Sequence, residues 1–308
     1  MTKNKDILTC SPITQHAYDI FAPYLFLDNG DTFGLNYESF LNTYFWRDGY
    51  RLIAQRGCLE EISKKMYKSA TRFRKKECID IPDKVYAHRV VELPAYNKKK
   101  YDEMVQWCIT QINESQYVTA PVILTQLLRL SQITSGFVVD ITKQEVNFED
   151  NPKLEALRDI FEESNGSSII VWCRFQHDVR NISKLCESMK IPYVELYGET
   201  KPDERTKNIK TFQDGIAKVI IGTAGTGGHG IDLTAATIVV YYSNSYSLEQ
   251  RIQSEDRAHR AGQRNQVTYI DILCKSTIDY SIYKILREKK KVSDIVTRDN
   301  IFNMTMGR

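Results

Sequence analysis

The sequence predicts an α/β fold, in which a parallel sheet is sandwiched by helices and preceded by a mostly helical region. From about residue 150, short apolar runs alternate regularly with stretches whose apolar residues recur at helical spacing. Strands and helices that alternate in this way indicate a parallel sheet with helices on both faces. Hydrophobic residues make up 42% of the chain and charged residues 26%, which is typical of a globular protein.

Each segment of the alternating half is assigned from its own pattern. Helices are predicted at 151–165, 177–190, 204–215 and 247–260. Strands are predicted at 167–175 (SSIIVWCRF), 192–198, 217–223 (AKVIIGT), 236–244 and 266–274.

The first 150 residues have a different texture. Helical spacing occurs at 14–27, 37–46, 59–68 and 96–112, and one strand is predicted at 85–93 (VYAHRVVEL). Two basic clusters, at 72–76 and 98–100, are interpreted as exposed helix faces, with phosphate contact as the alternative.

Composition excludes several classes of protein. With 42 basic and 39 acidic residues, the net charge of +3 neither demands nor excludes a polyanionic partner. Seven cysteines without a CxxC pair indicate reduced thiols. No signal peptide and no apolar run of membrane-spanning length is visible, so a cytoplasmic protein is expected, or a nuclear one in a eukaryote. His229 and His259 lack Cys or carboxylate partners at ligand spacing, and no metal site is predicted.

A glycine-rich stretch, GTAGTGGHGIDL at 222–233, directly follows the strand predicted at 217–223. Glycine lets the backbone approach a ligand and adopt positive φ, and such loops can aim N–H groups at an anion. The stretch lacks the GKS or GKT ending of a P-loop and the GxGxxG spacing of a dinucleotide-binding loop. An anion site and a tight structural turn are therefore both open interpretations at this point.

A second stretch, QSEDRAHRAGQR at 253–264, concentrates opposite charges. Arg257 and Arg260 are three residues apart, so on a helix both guanidinium groups lie on one face. Glu255 and Asp256 precede them and are expected to orient them. Taken alone, such a run is typical of a solvated helix face.

The order of these parts resembles lobe two of the Swi/Snf family of superfamily-two DNA helicases and translocases. GGHGIDL (227–233) and QSEDRAHRAGQ (253–263) are similar to the family's GGxGxNL and QxxxRxHRxGQ. LLRLSQITSGF (127–137) is particularly similar to phage-type members. Further likenesses are found in ILTCSPITQHAYDIF (7–21, motif III), IPDK (81–84, the LPxK hinge), SSIIVWCRF (167–175, motif IV), YGETKPDERTKNIKTF (197–212) and STIDYSIYKIL (276–286).

The resemblance implies two parts. Residues 1–85 correspond to the C-terminal tail of helicase lobe one, with motif III and a helical insertion, and residues 86–308 to the whole RecA-like lobe two. It also implies an ATP site with Mg²⁺, yet neither GKT or GKS nor DExH occurs in the sequence. In such motors those motifs hold the phosphates and the metal. We therefore expect a separate lobe-one polypeptide or a longer parent chain to complete the site, and the chain alone to be inactive.

The resemblance also implies roles for the residues of both motifs. Arg260 takes the place of the arginine finger at the γ-phosphate of ATP, and Arg257 binds phosphate or fixes the finger. Arginine suits both roles because its planar fork contacts two phosphate oxygens and stays charged. Gln253 is expected to hydrogen-bond across the lobe interface. Asp232, where the family more often has Asn, is expected near the ribose or the fingers, and Gly230 completes the ATP-binding set.

Double-stranded DNA is the implied partner, contacted through its backbone and not through its bases. Thr223 and Thr226 in the glycine-rich stretch, and Arg174 at the end of motif IV, are the candidate contacts. The alternatives are that the threonines cap a turn and that Arg174 only extends to the surface. Trp172 and Phe175 are residue types that stack on bases, but Trp172 lies in an apolar strand and is assigned to the core.

The function expected from this resemblance is the C-terminal half of an ATP-dependent DNA helicase or translocase. The alternative is a non-catalytic module that binds DNA or an intact helicase, with salt-sensitive DNA affinity and no nucleotide dependence. A third possibility is a remnant whose N-terminal tail exposes apolar surface and promotes association.

Overall fold

The computed structural model describes residues 5–9, 12–13, 15–49, 51–73, 75–114, 120–139, 144–226 and 230–296. These residues fall into two compact units. The first comprises the described residues of Met1–Cys78, Ser247–Glu249 and Ile285–Arg308, and the second those of Ile79–Tyr246 and Gln250–Lys284. The division into 1–85 and 86–308 stays a prediction.

The first unit is mostly helical, as its sequence predicts. Its elements in chain order are a 3₁₀ helix (Ala17–Ile20), α1 (Phe21–Asp28), α2 (Tyr37–Tyr44), β1 (Phe45–Asp48), β2 (Arg51–Ala54), α3 (Cys58–Met66) and α4 (Lys75–Cys78). Its core is rich in aromatic side chains, among them Phe21, Tyr24, Phe33, Phe40 and Tyr44. Burial of these large rings is the main stabilising contribution available to so small a unit.

The hairpin β1–β2 is missing from the sequence prediction, which extended a helix over 37–46. The helix ends at Tyr44, and β1 pairs antiparallel with β2, so that Trp46 lies opposite Ile53. Gly49 has a φ of 58° and supplies the left-handed conformation of the turn. Aromatic and β-branched residues favour strands where a partner strand is present, and here strand pairing overrides the helical spacing.

The second unit contains most of the remaining elements. They are β3 (Val85–Val91), α5 (Ala95–Glu114), α6 (Ala120–Thr134), β4 (Phe137–Val139), β5 (Glu145–Asn147), α7 (Pro152–Glu163), β6 (Ile169–Cys173), α8 (Gln176–Ser188), β7 (Tyr193–Leu196), α9 (Pro202–Gln213), β8 (Val219–Thr223), β9 (Ile238–Tyr241), α10 (Leu248–Ala258), β10 (Thr268–Cys274) and α11 (Ile278–Val296). The start of α10 and the end of α11 count with the first unit. No helix within the described ranges is long and apolar enough to span a membrane.

Six strands of this unit form one sheet in the order β3-β10-β9-β6-β8-β7. Every neighbouring pair is parallel, which confirms the predicted parallel sheet. The predicted strand at 85–93 is confirmed as the edge strand β3, and it pairs with β10 along its whole length. The small antiparallel pair β4–β5 lies outside this sheet and outside the prediction.

Two hydrophobic layers cover the sheet, one on each face. Side chains of a strand alternate between faces. In β6, Ile169, Val171 and Cys173 belong to one buried cluster, and Ile170 and Trp172 belong to the other. Trp172 is 0% exposed, which confirms its assignment to the core.

Candidate functional site

The candidate residues gather at the carboxyl ends of the central strands. Cys173 and Thr223, the last residues of β6 and β8, are register partners. Arg174 follows the first of these strands, and the glycine-rich stretch follows the second. In open parallel sheets ligands bind at this edge, so topology alone brings the predicted DNA contacts to neighbouring strand ends.

Glycine is required at two positions of the stretch, for a different structural reason at each. A Cβ on Gly222 would lie 2.4 Å from the carbonyl oxygen of Leu196 and 3.1 Å from Cζ3 of Trp172. Glycine here allows β8 to lie close to its neighbours in the sheet. Gly230 has a φ of 61°, the left-handed region that glycine adopts readily. Gly227, Gly228 and His229 lie outside the described residues.

Thr226 closes the first turn of the stretch. Its Oγ1 lies 2.7 Å from the carbonyl oxygen of Thr223, 3.0 Å from that of Leu196 and 3.0 Å from Oγ1 of Thr223. Arg205 donates a hydrogen bond to the carbonyl oxygen of Thr226. These bonds give both threonines the turn-closing role that was one of the two interpretations; their contact with DNA stays a prediction.

Asp232 closes the second turn. Its Oδ1 accepts from the backbone N–H of Thr234 at 3.0 Å and from Nε2 of Gln213 at 3.2 Å. This is the Asx turn that aspartate commonly forms with its own backbone. The rest of the carboxylate is exposed to solvent, and its contact with a nucleotide stays a prediction.

The arginine pair lies where α10 ends. Arg257 is in the last turn, whereas Arg260 follows the helix, which ends at Ala258 and not at 260 as predicted. Arg260 donates from Nη1 to the carbonyl oxygen of Ile231 at 3.1 Å. The backbone N–H of Leu233 donates to the carbonyl oxygen of Arg257 at 3.0 Å. The structure therefore joins the two predicted motifs directly, through backbone groups of the glycine-rich stretch.

Two further predicted residues, Gln253 and Arg174, lie near the arginine pair in sequence and at the end of β6, respectively. Gln253 lies one turn before Arg257 on the same face of α10. Arg174 is half-buried: its Nη1 donates to Oγ of Ser131 at 3.1 Å, and its backbone N–H donates to Oγ of Ser243 at 2.8 Å. Burial lowers the pKa of the Arg174 guanidinium. Arg174 is thus held through its side chain by α6 and through its backbone by Ser243, which follows β9.

Gln263 is a site residue that the sequence analysis did not single out. It is 4% exposed, and its Nε2 lies within 3.2 Å of the carbonyl oxygens of Thr234, Ala236 and Ala258. Its Oε1 accepts from the backbone N–H of Asn265 at 2.9 Å. The amide therefore ties the end of α10 to the chain leaving the glycine-rich stretch. Its place in the AGQ of the second motif was the available signal.

Glu255 belongs to a buried charge cluster that was also not foreseen. Its carboxylate accepts from Nε of Arg251 at 2.9 Å, from Nζ of Lys84 at 2.9 Å and from the hydroxyl of Tyr86 at 2.7 Å. Arg251 also binds both carboxylate oxygens of Asp271, at 2.6 and 3.0 Å. Such bidentate charge-assisted pairs are the strong class of hydrogen bond. Only the Arg251–Glu255 spacing of four residues was readable from the sequence.

A second buried cluster lies behind Arg174. Nζ of Lys153 is 2.7 Å from Oδ2 of Asp279, and both side chains are almost fully buried. Asp178 accepts from Oγ of Ser243 at 2.6 Å. Burial raises the pKa of Asp178 to about 7, because the bond from Ser243 and the charge of Lys153 offset the desolvation only in part.

Metal ligation has no candidate among the described residues. No group of three or more His, Cys, Asp or Glu side chains there is arranged to hold an ion. His259 instead donates from Nε2 to the carbonyl oxygen of Pro82, at 2.8 Å.

Comparison with known proteins finds relatives for most of the chain. Residues 152–262 match the family described as the helicase conserved C-terminal domain. An uncharacterised ATP-dependent helicase of Mycoplasma genitalium is 29% identical over 225 residues, which are 72% of this chain and 21% of the relative. The chain thus spans about a fifth of the length of that relative.

Solved structures show the same fold. The C-terminal domain of the Sulfolobus solfataricus SWI2/SNF2 ATPase superposes with a TM-score of 0.53 at 23% identity, over 68% of this chain and 87% of that one. The core of that ATPase in complex with dsDNA gives a TM-score of 0.58 at 22% identity, over 94% and 62% of the two chains. This likeness confirms the predicted α/β fold with its sheet sandwiched by helices.

Proposed function

We propose that this chain supplies two arginines to an ATP site and contacts the backbone of DNA. The premise is that the chain is the C-terminal part of a Swi/Snf-type superfamily-two protein with a RecA-like lobe. The observation that carries the proposal is the bond from Arg260 to the carbonyl oxygen of Ile231. It fixes a cation beside a glycine-rich stretch at the carboxyl edge of the sheet, where phosphates are expected to bind.

The proposed chemistry needs positive charge at the γ-phosphate as negative charge develops there. Arginine fingers in this role contribute about 10³–10⁵ in rate. A guanidinium carries five N–H donors, so Arg260 retains donors for phosphate oxygens after its bond to Ile231. Arg257, three residues earlier, adds a second charge, and Gln253, Asp232 and Gly230 complete the proposed ATP-binding set.

Groups outside this chain are part of the proposal. The sequence contains no GKS, GKT or DExH motif, and the described residues offer no set of ligands for Mg²⁺. We therefore assign no metal ligand here. A lobe-one polypeptide or a longer parent chain supplies the P-loop and the metal-binding acids, and ATP binds with its phosphates toward Arg257 and Arg260.

Double-stranded DNA is the proposed partner of the neighbouring strand ends. Arg174 follows β6. Thr223 ends β8, the strand paired with β6, and Thr226 follows it. Their groups suit phosphate oxygens, which position a protein on DNA without reading its sequence. Because the Arg174 guanidinium is already held by Ser131, little side-chain freedom is lost when it binds.

Two titrations of the purified chain test the proposal, and each variant serves as the control for the other. Tripolyphosphate, which stands in for the phosphates of ATP, is followed by NMR of the arginine Nε–H signals. A fluorescent DNA duplex is followed by anisotropy at several salt concentrations. Arg260→Ala should lose tripolyphosphate binding and keep duplex affinity. Arg174→Ala should weaken duplex binding about tenfold and keep tripolyphosphate affinity.

Several outcomes would overturn the proposal. Equal tripolyphosphate binding by the wild type and Arg260→Ala would remove the phosphate role. Salt-sensitive duplex binding with no tripolyphosphate binding would favour the non-catalytic DNA-binding module instead. DNA-stimulated ATP hydrolysis by the chain alone, lost in Arg260→Ala, would show a complete site and contradict the shared one.

A further inference from the structure

A short segment ahead of β3 is bonded to the helix that carries the arginine pair. Nζ of Lys84 lies 2.9 Å from Oε2 of Glu255 and 3.3 Å from Oδ1 of Asp256. The Glu255 side chain is only 4% exposed and that of Lys84 only 19%. These two carboxylates directly precede Arg257, so the lysine neutralises the charges closest to the pair.

Lys84 is charged in this setting. Burial alone would lower its pKa, but the charges of Glu255 and Asp256 outweigh burial and raise the pKa above its usual value. A buried carboxylate without such a partner costs several kcal/mol or takes up a proton. Without Lys84, Arg251 would still hold Oε1 of Glu255. Oε2 of Glu255 and the Asp256 carboxylate would lose a cation, could pair with Arg257 and Arg260, and would then compete with phosphate for them.

Tyrosines hold the same carboxylate and its backbone. The hydroxyl of Tyr86 donates to Oε2 of Glu255 at 2.7 Å, and the hydroxyl of Tyr269 donates to the Glu255 carbonyl oxygen at 2.9 Å. The two rings stack with centroids 5.4 Å apart. Because β3 and β10 are register-paired at these tyrosines, the sheet fixes both donors before any ligand binds.

A second bond reaches the segment from the other side of Arg257. His259, which lies between Arg257 and Arg260, donates from Nε2 to the carbonyl oxygen of Pro82 at 2.8 Å. The last turn of a helix frays readily, and α10 ends at Ala258. The bonds from Lys84 and His259 therefore hold the helix end on both sides of the point where it would otherwise open.

We propose that Lys84 and His259 form a clamp that positions Arg257 and Arg260 for phosphate. The clamp rests on the proposed phosphate role of the pair. Lys84 fixes and neutralises the two acids before Arg257, and His259 fixes the backbone between the arginines. Neither residue touches the phosphate, so both are positioning residues. The clamp uses the first residues of the second unit, which begins at Ile79.

Tripolyphosphate titration of variants tests the clamp. Lys84→Met, which keeps the length of the side chain and removes its charge, should weaken tripolyphosphate binding about tenfold. Lys84→Arg, which restores a cation able to bridge both acids, should return affinity to within about twofold of the wild type. Amide hydrogen exchange at 256–260 should accelerate in Lys84→Met and in His259→Leu, because the helix end opens more often.

Two control variants separate positioning of the arginines from a loss of net charge and from a loss of global stability. Lys275→Met removes an equal charge from an exposed pair with Glu92 and should leave tripolyphosphate affinity unchanged. Ile182→Val trims a fully buried side chain in the cluster on one sheet face. It should lower the urea midpoint of unfolding, because it removes a buried methyl group, without changing tripolyphosphate affinity.

The outcomes distinguish the two proposals. If Arg260→Ala loses binding but Lys84→Met binds like the wild type, the clamp is wrong and the phosphate role stands. If the wild type binds no tripolyphosphate, the phosphate role is wrong, and the clamp as a device for phosphate binding fails with it. Unchanged amide exchange at 256–260 in both clamp variants would overturn the clamp whatever the titration gives.

Discussion

Arg260 donates a hydrogen bond to the carbonyl oxygen of Ile231 across 3.1 Å. A second hydrogen bond runs from the Leu233 N–H to the Arg257 carbonyl oxygen. Together the two bonds link the glycine-rich stretch to the end of α10. A ligand that binds the backbone of the stretch is therefore expected to affect the arginines. Three substitutions, one at the first residue of the stretch and two in the buried cluster of Asp178 and Lys153, test the framework that supports this arrangement.

Gly222→Ala should destabilise the protein, because the new Cβ would meet the Leu196 carbonyl oxygen at 2.4 Å. We expect the free energy of unfolding in urea to fall by more than about 2 kcal/mol. Gly225→Ala is the matched control: among the described residues, its Cβ would meet Nε2 of Gln250 at 3.7 Å and nothing nearer. Equal stability of the two variants would mean that the sheet tolerates a wider separation of β7 and β8.

Asp178→Asn should change how stability depends on pH. The pKa of Asp178 is raised from 3.8 to about 7 by burial, so between these values the folded state binds more protons than the unfolded state. Wild-type stability should therefore fall as pH rises through this window and level off above it. The variant lacks this contribution, and the difference between the two proteins should change by up to about 4 kcal/mol.

Urea unfolding of both proteins at several pH values between 4 and 8 measures this difference. Groups facing the carboxyl are Ser243, Ser135 and Lys153, together with the backbone of Phe175. A constant difference across the range would show that Asp178 does not titrate in this window.

Lys153→Met should be strongly destabilising. It leaves Asp279 buried without its cation, and such a loss costs about 3–5 kcal/mol. Adding Asp279→Asn should recover part of that loss, because the amide is neutral. Its oxygen can still accept from the Cys274 N–H, and its NH₂ group can donate to the Thr134 hydroxyl oxygen. Urea unfolding measures both variants.

A matched surface pair provides the control for this prediction. Lys275 and Glu92 are 2.7 Å apart, with side chains 61% and 74% exposed. Lys275→Met should leave the urea midpoint nearly unchanged, because exposed ion pairs contribute little to stability. A similar cost for Lys153→Met would mean that water reaches the Lys153–Asp279 pair.

Much of the fold is predictable from local pattern. The continuous apolar runs of β6 and β8 identify buried strands, and the spacing of apolar residues in α8 and α9 identifies helices that pack on the sheet. Both patterns can be read because each is complete within a few neighbouring residues. The hairpin at Phe45–Ala54 is not predictable in this way. Its aromatic residues also suit a helix, and only the pairing of Trp46 with Ile53 selects the strand.

The candidate site likewise contains residues that local sequence pattern identifies and residues that only long-range contacts reveal. Arg257, Arg260, Asp232 and Gly230 stand out from spacing and motif order. The partners that hold them do not, because they come from distant parts of the chain: Lys84 and Glu255 are 171 residues apart. Gln263 looks like an ordinary polar residue until its amide is found among three carbonyl oxygens.

By itself, the sequence determined which segments form the strands of the sheet, which form the helices that pack on it, and which chemical groups lie at its carboxyl edge. These features follow from short runs of side chains and from the order in which the runs occur. Only the tertiary structure decided that α10 ends before Arg260, that Glu255 binds Lys84, and that the threonines of the glycine-rich stretch close a turn. Such contacts depend on which distant segments burial brings together, and a buried charge or carbonyl group must find its partner wherever the chain has placed one.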